Sequence, residues 1–135
     1  KNSYWSLASA SLQEIEKLNI FNASLLAMTR AIKKLKKKPK LVIVDGIKSP
    51  NLKNYKIKSL IEGDGKIPEI AAASIIAKVF RDRLMKRMSK KFVGYAWEKN
   101  AGYGTKGHFI ALKKLGVTKY HRRNFRPIHN ILISK

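Results

Sequence analysis

From Leu18 onward, apolar residues recur in steps of three and four through Phe21, Leu25, Met28, Ile32 and Leu35. That period predicts an amphipathic helix. Glu14 and Glu16 lead into it, Asn19 is placed to cap it, and a run of lysines before Pro39 ends it. Upstream, residues 4–10 read as a weak strand. Leu41-Val42-Ile43-Val44 has a different pattern, a continuous apolar run ending in Asp45-Gly46. Such a run is expected of a strand buried on both faces in a parallel sheet. A polar loop with Pro50 leads to a second strand over about residues 57–62, which runs into Gly63-Asp64-Gly65. Pro68 suits the first position of a long helix that fades near Lys91.

In that helix Ala71, Ala72 and Ala73 are small enough to press on a sheet. Ile75, Ile76, Val79 and Phe80 are expected to bury it almost all round. Ser74, Lys78, Arg81 and Asp82 form one polar stripe. The stripe reads either as a solvated face or as the lining of a site beside Asp64. Residues 94–104 form a loop rich in aromatics and glycine. Thr105 caps another helix, which Gly116 stops. Residues 120–135 read as basic and irregular. No repeat or linker divides the chain, so one domain over residues 1–135 is expected, with a basic tail over residues 117–135.

Composition narrows the class. A length of 135 residues suffices for one modest domain. There is no cysteine, which removes disulfides and thiolate metal sites and suits a cytoplasmic location. The longest apolar run is too short to span a membrane, so no membrane partner is expected. No signal peptide is visible, and Lys1 is not a natural start, so the chain is expected to begin inside a longer protein.

The net charge is +22, from 30 Lys and Arg against 8 Asp and Glu. Such a balance points to a polyanion, most often nucleic acid. Yet 23 of those cations are Lys, and Ile and Asn are plentiful, as an AT-rich genome would dictate without function. The arginines are more telling. Six of seven fall in two clusters, Arg81, Arg83, Arg87 and Arg122, Arg123, Arg126. A guanidinium fork matches phosphate oxygens.

Only three aspartates occur, Asp45, Asp64 and Asp82. Two of them lie at or just past strand ends. If the strands are parallel neighbours, both carboxylates emerge at the carboxyl edge of the sheet, where α/β proteins place their sites. Carboxylates brought together repel unless a cation lies between them. Oxygen ligands suit Mg²⁺ or Mn²⁺, and such a metal within a basic surface suits phosphodiester cleavage. The competing reading is that Asp-Gly after a strand is simply a turn.

Several segments occur in a telling order. They are Leu18-Asn19-Ile20 with Ala23-Ser24-Leu25-Leu26-Ala27-Met28, and Val42-Ile43-Val44-Asp45-Gly46. Gly63-Asp64 follows, with Ala72-Ala73-Ser74-Ile75-Ile76-Ala77-Lys78-Val79 and Arg81-Asp82-Arg83. Gly102-Tyr103-Gly104-Thr105 with His108, and His121-Arg122-Arg123 with Phe125, complete the set. Along nearly its whole length the chain resembles the bacterial type 2 ribonucleases H, ribonuclease HII. The resemblance implies an α/β ribonuclease H-like fold, a mixed sheet flanked by helices. It implies hydrolysis of RNA in RNA–DNA hybrids and cleavage at ribonucleotides embedded in DNA, by two divalent ions, Mn²⁺ or Mg²⁺. A monomer is expected.

The family holds its ions with four acids, an Asp-Glu pair on the first strand and two later aspartates. Asp45 matches the third and Asp64 the fourth. Nothing in this sequence matches the Asp-Glu pair or the Gly-Arg-Gly that follows it. Residues 2–10 look like the family's third strand, so the first two strands are expected to be missing and the chain alone to be inactive. Smaller departures are Gly107, Val117 and Lys119. Tyr103 matches the tyrosine that packs on the sugar at the RNA-to-DNA junction and senses its 2′-hydroxyl, the group that separates RNA from DNA. Gly102 and Gly104 would let a backbone approach closely. Ser74, Lys78 and Arg122 complete the expected substrate contacts. His108 is read as ordering the first turn of its helix. Asp82 is read as structural, paired with an arginine. Two other classes remain, a non-catalytic basic nucleic-acid-binding module and an eroded remnant.

Overall fold

The computed structural model describes residues 3–134. They divide into two compact units, Lys1–Ala77 and Lys78–Lys135.

In the first unit, helix α1 (Leu12–Lys34) starts earlier than its apolar stripe suggests. The Ser11 hydroxyl accepts from the Glu14 N–H at 3.2 Å, and Glu14 Oε2 accepts from the Ser11 N–H at 2.8 Å. This reciprocal box satisfies two donors that a helix start leaves open. The cap expected at Asn19 is also present. Asn19 leaves helical geometry (φ 66°, ψ 166°), and its Oδ1 accepts from the Asn22 N–H at 3.0 Å. The helix therefore breaks and restarts there. The first stretch carries no stripe of its own, because the three-and-four spacing begins only at Leu18.

Residues 4–10 form no strand, contrary to expectation. A ladder needs a partner's N–H and C=O groups, and the two strands described here pair with each other. Residues 3–10 lie against α1 instead. Ser6 Oγ donates to the Ala31 carbonyl at 2.6 Å, and Arg30 Nη1 donates to the Ser9 carbonyl at 3.1 Å. Arg30 also pairs with Glu14 across the break at 2.5 Å, and this bond chiefly holds the Glu14 carboxyl down at about 2.

Strands β1 (Val42–Asp45) and β2 (Ile57–Leu60) are parallel, in register from Val42 opposite Ile57 to Asp45 opposite Leu60. Their burial falls short of the sequence pattern. Val44 is buried, Val42 and Ile43 are half-buried, and Leu41 is 43% exposed. Helix α2 (Pro68–Lys91) has the expected start and end. Its expected burial is corrected: Ile70 is its buried residue, while Ile75 is 62% exposed and Val79 and Phe80 are 41% exposed. Geometry explains this. At 1.5 Å per residue the helix is about 36 Å long. Strands of four residues span roughly 13 Å. Two of them cannot cover such a helix.

The second unit holds a cluster of buried apolar residues. Tyr95, Trp97, Ala111, Leu112 and Ile128 form its core, with Met85, Met88, Phe92, Phe109, Val117 and Ile131 packed against them. The aromatic loop is ordered by that core. It contains a single turn, α3 (Trp97–Asn100), and Tyr95 stacks on Trp97 at 5.2 Å. Helix α4 (Lys106–Leu115) is capped by Thr105 and stopped by Gly116, as its sequence predicts. The tail is not irregular throughout. Helix α5 (Arg126–Ile133) runs through it and buries Ile128. Its short apolar face is masked in sequence by the neighbouring cations.

Candidate active site

The parallel register brings one set of predicted residues together. Asp45 ends β1 opposite Leu60, and the Gly46 N–H donates to the Leu60 carbonyl at 2.9 Å. Beyond β2 the chain turns at Glu62 (φ 55°) into a single 3₁₀ turn, Gly63–Gly65. The Gly63 N–H donates to Asp45 Oδ1 at 2.9 Å. This bond ties the turn carrying Asp64 to the end of β1 and uses one of Asp45's two oxygens. Gly63 is needed for that closeness. A Cβ there would lie 2.7 Å from Ile70 Cδ1 and 3.6 Å from Asp45 Oδ1. Both carboxylates are exposed, and Asp64 Oδ1 accepts from the Gly65 N–H at 3.0 Å.

These donors fit a hard divalent ion: exposed carboxylate oxygens at the carboxyl ends of parallel strands. They are two acids, however. Among the described residues no group of three or more His, Asp or Glu could hold a metal.

A second set gathers in the other unit. Lys78, Arg81, Asp82, Trp97, Glu98, Lys99, Asn100, Ala101 and Tyr103 line an open cavity of about 310 Å³. Tyr103 is 60% exposed, so its ring is available to a ligand. Arg81 Nη1 donates to the Tyr103 hydroxyl at 2.8 Å, and its guanidinium carbon lies 5.3 Å from the ring centroid. Asp82 accepts from Arg81 at 2.9 and 3.0 Å, which confirms the structural pairing read from the sequence and pushes the Arg81 pKa further up. The glycines beside Tyr103 have internal reasons to be glycine. Gly102 adopts φ +82° with Met85 3.2 Å from where a Cβ would lie, and a Cβ on Gly104 would meet Phe109 at 2.9 Å.

Ser74 and Lys78 lie one turn apart on α2, and both are exposed. Arg122 is half-buried over the Phe125 ring at 4.8 Å and does not line the Tyr103 cavity.

The model of the family described as Ribonuclease HII matches residues 3–128. The chain belongs to the ribonuclease HII family. It is 59% identical over 132 residues to a ribonuclease HII of Pelagibacter ubique, covering 98% of this chain and 71% of that relative. It is 49% identical over 128 residues to a ribonuclease HII of Paracoccus denitrificans, covering 95% of this chain and 61% of the relative. In fold it is similar to the crystal structure of the ribonuclease H2 from Pyrococcus horikoshii, with a TM-score of 0.74 at 22% identity, covering 92% of this chain and 66% of that one. The α/β ribonuclease H-like class expected from the sequence therefore stands. The chain spans about three fifths to seven tenths of these relatives' lengths.

Two features of this chain carry little or no signal in the sequence. Arg81 was grouped with phosphate-binding arginines, whereas it also grips Tyr103. Its places in an Arg cluster and in the polar stripe of α2 mark it in the sequence, but neither points to Tyr103. His108 is expected to order a helix turn, and it has no metal-ligand spacing to His121. Their rings meet in the core, Nε2 to Nε2 at 3.2 Å. Thirteen residues apart on different elements, they carry no spacing signal. No helix among the described residues is long and apolar enough to cross a membrane.

Proposed function

We propose that the protein is an endonuclease that hydrolyses the RNA strand of RNA–DNA hybrids and cleaves at ribonucleotides embedded in DNA. One structural observation carries the reading: the parallel register of β1 and β2, which ties Asp45 to the turn bearing Asp64. In this reading Asp45 and Asp64 hold Mg²⁺ or Mn²⁺, together with an Asp-Glu pair that this sequence does not match. Held by these acids, such ions would supply activation of a water and charge stabilisation at the leaving 3′-oxygen, and the products would carry 3′-hydroxyl and 5′-phosphate ends.

The chain's own residues bind and orient. The exposed Tyr103 ring packs on the sugar at the junction, held by Arg81 at its hydroxyl. Gly102 and Gly104 shape the backbone on either side of it. Ser74, Lys78 and Arg122 contact flanking phosphates. The protein acts as a monomer in the cytoplasm. With two of the four acids, residues 1–135 alone do not cleave.

The competing class is a basic nucleic-acid-binding module, favoured by the +22 charge. The test compares wild type with Asp45→Asn in a protein that also carries the Asp-Glu pair. Labelled hybrid and DNA containing one ribonucleotide serve as substrates. Loss of cleavage with retained hybrid binding supports the enzyme. Cleavage at wild-type rates removes Asp45 from the metal site, and binding with no cleavage by either protein favours the binding module.

A further inference from the structure

The hydrogen bonds around His108 and His121 fix the proton on every ring nitrogen. His108 Nδ1 lies 2.9 Å from the Tyr103 carbonyl, which only accepts, so Nδ1 carries the hydrogen. In the neutral ring Nε2 is then an acceptor. Trp97 Nε1, which only donates, reaches it at 3.2 Å, and His121 Nε2 does so at the same 3.2 Å. His121 Nε2 therefore carries a hydrogen, and its Nδ1 accepts from the Thr118 N–H at 3.0 Å. The Thr118 hydroxyl lies 2.9 Å from the same nitrogen. Four groups thus form one directed chain, from Thr118 through His121 and His108 to the Tyr103 backbone.

A further proton has no place in it. On His108 Nε2 it would face two donors, and on His121 Nδ1 it would face the Thr118 N–H. Both rings are buried, with relative exposures of 5% and 6%. The titratable group facing them is Tyr95, with ring centroids 6.3 Å from His108 and 5.2 Å from His121. Its hydroxyl is engaged with the Gly116 carbonyl at 2.8 Å. The packed elements also carry Lys86 and Arg87 on α2, Glu98 and Lys99 on α3, Lys106, Lys113 and Lys114 on α4, Arg126 and His129 on α5, and Lys119 and Arg122 beside His121. None of the bonds to either ring comes from a carboxylate. Burial, and then His108, lower the His121 pKa accordingly.

We infer that His108 is a positioning residue for Tyr103, locked in its tautomer by His121, and that discrimination of a lone ribonucleotide by Tyr103 depends on this hydrogen-bond chain being intact. The inference rests on the proposed role of Tyr103. The Tyr103 side chain is held by Arg81 and its backbone by His108, so the two grips together set the ring. A core histidine with a structural role alone would not couple its protonation to Tyr103.

The test has two arms on the whole protein. In the first, long-range ¹H–¹⁵N spectra at neutral pH should show His108 protonated on Nδ1 and His121 on Nε2. The Tyr103 resonances should move with the acid titration of His121. The opposite tautomers, or Tyr103 resonances that stay flat through that titration, overturn the inference. In the second, the ratio of cleavage at a lone ribonucleotide to cleavage of hybrid is followed against pH. The ratio should fall in acid, should drop about tenfold in His108→Leu, and should recover in His108→Asn, whose amide can donate where Nδ1 does. His121→Gln should flatten the acid fall. Equal losses on both substrates with an unchanged acid limb overturn it. If the wild type cuts neither substrate, the functional reading fails by itself, and the spectra still decide the positioning.

Discussion

Tyr103 shows how far a single residue's role depends on what grips it. An exposed ring with free rotation would lose rotamer entropy on binding a sugar. Arg81 lowers that loss by fixing the hydroxyl at 2.8 Å before any ligand arrives. Tyr103→Ala should therefore reduce cleavage at a lone ribonucleotide far more than it reduces duplex affinity, measured by single-turnover cleavage beside fluorescence anisotropy. Equal losses on both would make Tyr103 a packing residue. Arg81→Met should fall in the same direction but less, because it leaves the ring in place and removes its bond to the hydroxyl, along with the two bonds to Asp82, which do not touch the ring.

At the scale of the element, the sequence was clear wherever a period or a punctuating residue is local. Pro68 opens α2, Thr105 and Gly116 bound α4, and Asp45 ends β1, all as their positions predict. The parallel pairing of β1 with β2 was legible because a continuous apolar run implies a parallel strand, whereas the bond from Gly63 to Asp45 was not. Burial was not legible, because it depends on what lies opposite: Ile75 has a core-like neighbourhood in sequence and an open one in the structure. The His108–His121 contact was hidden for the same reason, being tertiary.

Two elements respond to acid, with signs set by their pKa directions. Glu14 titrates near 2 when folded, below its ordinary 4.5, so its contribution is complete above 4.5 and is lost as pH falls toward 2. The His121 pKa is depressed from 6.5, so the unfolded chain takes up a proton first and stability falls as pH drops below 6.5. Melting temperature against pH should thus show two separate acid limbs. His121→Gln should remove the upper limb and Glu14→Gln should blunt the lower one. A single limb unaffected by either variant would place the acid sensitivity elsewhere.

For the whole molecule, charge and apolar exposure pull in opposite directions. A net charge of +22 repels copies of the chain from one another. That repulsion reaches only about 8 Å at physiological salt. Against it stand exposed Trp5, Ile75, Val79 and Phe80, and a β1 strand whose ladder, among the described residues, is formed on β2 alone. An unpaired apolar edge is a template for pairing with another chain. A domain's net stability of about 5–15 kcal/mol leaves little to offset such losses. Residues 1–135 expressed alone should therefore aggregate or fold only in part, increasingly so as salt rises, and should cleave nothing with Mg²⁺ or Mn²⁺. Supplying a preceding segment that carries the Asp-Glu pair should restore both solubility and cleavage, because it adds ligands to Asp45 and Asp64 and sheet for α2 to pack on. Light scattering, a thermal melt and a hybrid-cleavage assay on the two chains side by side check this. A soluble, cooperatively melting, active 135-residue protein would overturn it and require a metal site built from other residues.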